Sequence, residues 1–99
     1  MNNFIFLSKT PKEIDKMIAA RIRSIRRRRK ISQKRLSEKS GVSLGSVKRF
    51  ESSGEISLIS LTKIAIALDI ENELEGLFEH VPFLSIEELI NGENEKTES

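Results

Sequence analysis

The stretch over residues 31–51, ISQKRLSEKSGVSLGSVKRFE, leaves this chain little freedom in how it folds. Ser32 stands where an N-cap would. Its side-chain oxygen can accept one of the backbone N–H groups a first helical turn leaves unbonded, and the residues after it read as a short amphipathic helix carrying Leu36 inward. Gly41 stops that helix, because glycine enters the left-handed conformation of a C′ position without a Cβ clash. Ser43 then caps a second helix, expected over residues 44–52. Val42 in the turn, with Leu36 before it and Val47 and Phe50 after it, forms a small apolar wedge that sets two such helices at a steep angle. The outer face of the second helix is left with Leu44, Gly45, Ser46, Lys48 and Arg49. Those residues are short, polar or cationic, as a helix lying in a DNA major groove needs.

The segment resembles the helix-turn-helix of the lambda repressor and Cro-like regulators, the XRE family. Gln33, Leu36-Ser37, Gly41-Val42-Ser43 and Glu51 meet that pattern, and the similarity runs over residues 14–77. The resemblance implies an all-α, lambda repressor-like five-helix DNA-binding domain. Around it the chain divides into a short extended N-terminal arm at 1–9, the helical domain at 10–90 and a disordered acidic tail at 91–99. The resemblance also implies that Gln33 touches a phosphate and braces the recognition helix, and that Arg26, late in helix 1, forms a structural pair with Glu51. Two departures matter. Lys30 stands where the family often has Gly, so it must take a left-handed conformation at some cost or end the helix differently. Leu44 and Gly45 replace the polar pair commonly turned to base edges, leaving Ser46, Lys48 and Arg49 as readers or phosphate anchors; Leu44 either meets a thymine methyl or packs inward.

Charge separates the chain into two parts. Residues 1–50 hold 15 Lys/Arg against 3 Asp/Glu, +12, and residues 51–99 hold 2 against 12, −10, which together make the net +2. The basic half contains the helix-turn-helix, which is the electrostatic footprint of a phosphate-binding surface. With no Cys there is neither a disulfide framework nor a thiolate metal site, which suits a reducing cytoplasm. The longest apolar run, Phe4-Ile5-Phe6-Leu7, is far shorter than the roughly 20 residues that cross a bilayer, so no membrane association is expected.

That run reads as an arm that packs on its own domain or pairs as a strand with a second subunit. Thr10-Pro11-Lys12-Glu13 is a capping box with Pro at the first helical position. Ile14, Ile18, Ile22 and Ile25, with Met17 beside them, place one stripe of helix 1 on the core. Arg21, Arg23 and residues 26–30 are cationic, and Arg27, Arg28 and Arg29 are expected at phosphates, with Lys34 next to Gln33 and Ser43 at the start of the recognition helix. Ser57 caps a fourth helix carrying Leu58, Leu61, Ile64, Ala65 and Leu68, and residues 73–78 form a fifth presenting Leu74, Leu77 and Phe78. After Pro82, Ser85 caps one or two further turns toward Ile90.

The leading reading is a sequence-specific regulator of double-stranded DNA, a homodimeric repressor with one recognition helix in each half of a palindromic operator. Residues 41–70, followed by the Leu77-Phe78 pair and Ser85-Ile86-Glu87-Glu88-Leu89, also resemble the HipB-type antitoxins that accompany HipA-like kinases. That resemblance implies autoregulation and a kinase partner. The alternatives are a plain phage- or plasmid-type repressor, or a partner-binding protein with secondary DNA contact. An enzyme is the weakest class, because the sole histidine is His80, Cys and Tyr are absent, and no carboxylate pair comes with a Gly-rich loop or metal-ligand spacing. No cofactor is implied.

Overall fold

Backbone capping decides where each helix of this chain begins, and the computed structural model shows the caps in detail. It describes residues 8–98, so the apolar run at 4–7 lies outside the described residues. Six helices and no strand occur among them: α1 Pro11–Arg28, α2 Gln33–Ser40, α3 Leu44–Ser53, α4 Leu58–Ala67, α5 Glu71–Glu75 and α6 Ile86–Glu98. At the head of α1 the Glu13 backbone N–H donates to Thr10 Oγ1 at 3.1 Å, and the Thr10 backbone N–H donates back to Glu13 Oε1 at 2.9 Å. That backbone N–H holds the Glu13 carboxyl below its ordinary pKa. Ser32, Ser43 and Ser57 accept from Arg35, Ser46 and Ser60 N–H in the same way. Each cap satisfies a donor that would otherwise be left unbonded.

The helix ends are of two kinds. Gly41 and Gly54 close α2 and α3 in the left-handed region, at φ 77° and 84°. In α1 and α4 the same conformation is forced on Lys30 and Asp69, at φ 58° and 60°. Lys30 N–H donates to Arg27 O and Ile31 N–H to Arg26 O. Asp69 N–H donates to Ile66 O and Ile70 N–H to Ala65 O. These paired bonds are Schellman closures, and the apolar residue that follows each, Ile31 or Ile70, packs against the core as that motif favours.

Ala19, Ile22, Leu36, Val42, Val47, Phe50, Ile64 and Leu68 form the core, with α1 packed on α3, α2 on α3 and α4, and α4 on α5. Each large side chain among them contributes about 1.5–3 kcal/mol by leaving water. Ile14 and Ile18, expected inside, are instead exposed. The buried stripe of α1 runs through Ala19, Ile22 and Arg26. A strict four-residue spacing overshoots the 3.6-residue turn by about 40° per step, so successive Ile residues drift off that stripe toward the N-terminus.

The C-terminal third differs most from expectation. The fifth helix spans Glu71–Glu75 rather than 73–78, and Leu77 and Phe78 are exposed beyond it. Where a disordered tail was expected from residue 91, α6 continues to Glu98. Ser85 Oγ accepts the Glu88 N–H at 3.1 Å, Glu87 and Glu88 complement the dipole of the first turn, and the Glu and Lys that follow are good helix formers. The helix therefore runs on through the polar segment. No helix among the described residues is long and apolar enough to cross a membrane.

Because Lys30 already carries the left-handed strain, Lys30→Gly should raise stability by up to about 1 kcal/mol in urea denaturation. A lowered midpoint would show that added freedom in the unfolded chain outweighs the strain.

Gly41 and Gly54 should respond differently to Ala. A Cβ on Gly41 meets nothing within 4 Å, so Gly41→Ala should cost about 1–2 kcal/mol of backbone strain. A Cβ on Gly54 would lie 2.7 Å from the Asp15 carbonyl carbon, and Gly54→Ala should cost distinctly more because α1 must move. Equal denaturant midpoints for the two variants would mean that α1 yields freely.

Candidate nucleic-acid interface

α3 is held from behind by one guanidinium. Arg26, which faces the core and is only 8% exposed, donates from Nε to Glu51 Oε2 at 2.7 Å and from Nη2 to Glu51 Oε1 at 3.0 Å. Its Nη1 donates to the Ile31 carbonyl at 2.7 Å, so the same group also fixes the connection from α1 to α2. Gln33, the first residue of α2, donates its amide N–H to Glu51 Oε1 at 3.0 Å. Among the described residues no buried side-chain polar atom lacks a partner. A bidentate pair with each remaining donor or acceptor engaged is the arrangement in which buried charge is tolerated.

The opposite face of α3 is open. Gly45, Lys48 and Arg49 are exposed, Leu44 and Ser46 are half-buried, and Val47 and Phe50 point into the core. Leu44 therefore neither joins the core nor stands clear of the domain. Ser43, exposed at the head of the helix, donates its hydroxyl to Ser46 Oγ at 2.9 Å while capping. Lys48 shares a hollow of about 190 Å³ with Arg23, Gln33, Glu51 and Ser52. Arg49 lines another, of about 300 Å³, with Ser46, Ser57 and Ser60. Each hollow also holds a carboxylate, Glu51 in the first and Glu55 in the second, while Lys48 and Arg49 are exposed where a phosphate could reach them.

Of the α1 arginines, Arg27 lies with Arg23 beside Glu51 in a third hollow. Arg28 and Arg29 are exposed at the end of α1 and line none of these three hollows, and Lys34 is exposed in the first turn of α2. The residue missed by sequence reading is Arg23, whose Nε is 4.0 Å from Glu51 Oε1 with its side chain half exposed. A signal for it existed: Arg23, Arg26 and Arg27 recur at three and four residues, so they share one side of the helix. His80 is exposed and far in sequence from this face.

A family model described as Helix-turn-helix matches residues 22–71, from the middle of α1 to the start of α5. The chain belongs to the XRE-type helix-turn-helix family. The match covers the buried Arg26–Glu51 pair and the whole open face of α3, and it makes this helix-turn-helix protein a DNA-binding transcription regulator. No curated protein and no solved structure matches the chain.

In this helix-turn-helix domain Arg26→Ala should destabilise by about 3–5 kcal/mol, since it leaves the Glu51 carboxylate buried without its cation. Arg28→Ala, at an exposed site, should stay within about 0.5 kcal/mol of the parent. Denaturant midpoints test the contrast, and equal shifts would remove the structural role given to the pair.

Proposed function

We propose that the protein is a cytoplasmic repressor that binds a palindromic operator as a homodimer, with one α3 in each half-site. The observation that carries this reading is the division of α3. Its inner face is locked by Arg26, Glu51 and Gln33, and its outer face offers Gly45, Lys48 and Arg49 without burial. In this reading Ser46, Lys48 and Arg49 reach base edges or adjacent phosphates, Leu44 touches a thymine methyl, and Gly45 lets the backbone come close to the groove floor, since no atom lies within 4 Å of its absent Cβ. Gln33, Lys34, Ser43, Arg27, Arg28 and Arg29, joined by Arg23, engage the sugar–phosphate backbone and set the register.

A second reading adds a protein partner, a HipA-like kinase whose activity this chain would restrain. The exposed carboxylates of Glu73, Glu75 and Glu79, which follow the cationic α1–α3 stretch in sequence, favour it. Affinity purification from the native source separates the two readings: a kinase recovered with operator-bound protein supports the partner, and a homodimer alone removes it.

The test of the main reading is competition binding. Affinity for a two-fold site with half-sites about 34 Å apart should fall by about 10³ or more between 50 and 200 mM salt, because released counterions drive association. Equal affinity for random duplex, or indifference to salt, would overturn it.

A further inference from the structure

Two apolar surfaces have no partner among the described residues. The first is the outer face of α4, where Leu58, Ile59 and Ile66 are 70%, 67% and 58% exposed and, with Thr62 and Lys63, line a shallow groove of about 580 Å³. Thr62 turns its hydroxyl onto its own helix, donating to Leu58 O at 3.0 Å, so Lys63 is the one charge on an otherwise apolar face. The second surface is the segment 77–90, where Phe78, Leu84 and Ile86 are 80%, 92% and 77% exposed. Phe83 folds back on α6, close enough that a Cβ on Gly92 would lie 3.1 Å from its ring, but α6 packs extensively on no other helix. Phe78 sits at φ 65°, a conformation a bulky residue adopts only under constraint, and it is left exposed among the described residues.

We propose that the segment 77–90 of one chain covers the α4 groove of a second copy, and reciprocally, so that these two surfaces form the dimer interface. The inference rests on the homodimer of the proposed function and deepens it by naming the surface. Three observations select a second copy as the occupant. Both surfaces are open in the same molecule, so each chain carries both halves of a two-fold, self-complementary contact. Their charges match: Lys63 lies in the groove, and Glu87 and Glu88 flank Ile86 and Leu89 on the segment, whereas α4 against α4 would set Lys63 against Lys63. Exposed area is the third. A stable dimer buries about 800 Å² from each partner, and the large apolar side chains on the outer face of α4 and on residues 77–90, each 40% exposed or more, are available to supply it. Apolar surface this extensive is not stable in water and marks an interaction site.

The absence of Cys allows a direct test in the full-length chain without DNA. Ile59→Cys in one preparation and, in another, Leu84→Cys or Leu89→Cys alter exposed positions. Once circular dichroism shows each variant to be helical, the two are mixed under mild oxidation. A disulfide-linked heterodimer well in excess of either single-variant homodimer supports the interface. Cross-linking confined to one chain in the doubly substituted protein, or none between chains, overturns it. Sedimentation supplies a second readout that does not depend on the cysteines. Lys63→Glu should weaken self-association by about tenfold or more, and Glu87→Lys with Glu88→Lys on the same chain should restore it. A chain that is monomeric at micromolar concentration, or a dimer indifferent to Lys63→Glu, also refutes the proposal. DNA binding is measured separately on the same preparations: a monomer that binds operator removes this interface and leaves the DNA-binding reading, and a dimer that ignores DNA does the reverse.

Discussion

The placement of α3 depends on the Arg26 guanidinium. Three of its nitrogens reach two segments, Glu51 on α3 and the Ile31 carbonyl between α1 and α2, while Arg26 itself stays anchored on α1. Such a group is a poor source of net stability, because removing two charges from water offsets most of their attraction. Its contribution is geometric. Aliphatic core residues such as Leu36, Val47 and Ile64 tolerate rearrangement at similar volume, whereas a planar fork engaging both carboxylate oxygens accepts one orientation. Gln33 adds a second donor to Glu51, so α2 is tied to the same carboxylate. All three helices that compose the reading head therefore share a single acceptor.

Residues whose chemistry is local were legible in the sequence. Thr10, Ser32, Ser43 and Ser57 act within three residues of themselves, and Gly41 needs only its own missing Cβ, so their roles could be read without knowing the fold. Residues whose fate depends on what lies opposite were not. Ile14 and Ile18 have the spacing of a buried stripe, yet the core-facing line of α1 passes through Ala19, Ile22 and Arg26, and both stay exposed. Lys30 shows the boundary between the two cases. That it must leave the ordinary helical region followed from its position, but the choice of a Schellman closure depended on Ile31 finding a place against the core. For Arg23 the spacing to Arg26 and Arg27 gave the side of the helix, but its proximity to Glu51 exists only once α3 has docked.

The charge division along the sequence becomes a division of surfaces. Arg23, Arg26, Arg27 and Lys48 gather around the Glu51 carboxylate, itself almost sealed from solvent, while most carboxylates lie in α5, in α6 and between them, toward the other end of the chain. Segregation of this kind lets a molecule approach a polyanion with one end foremost, since the acidic part is repelled as the basic part is drawn in. The +2 net charge conceals that dipole, and bulk properties such as isoelectric point describe it poorly.

One feature of α3 bears on how such a protein can change over time. The side chains that hold the helix in place, Val47, Phe50 and Glu51, and those that face outward, Gly45, Lys48 and Arg49, are disjoint sets, and Gly45 has open space around it. Replacing an outward residue therefore removes no core contact and disturbs no buried charge. With α3 as the proposed DNA-contacting helix, folding and target choice come under separate control within ten residues of chain. A lineage carrying this domain can acquire a new binding preference by single substitutions, passing through intermediates that all remain folded.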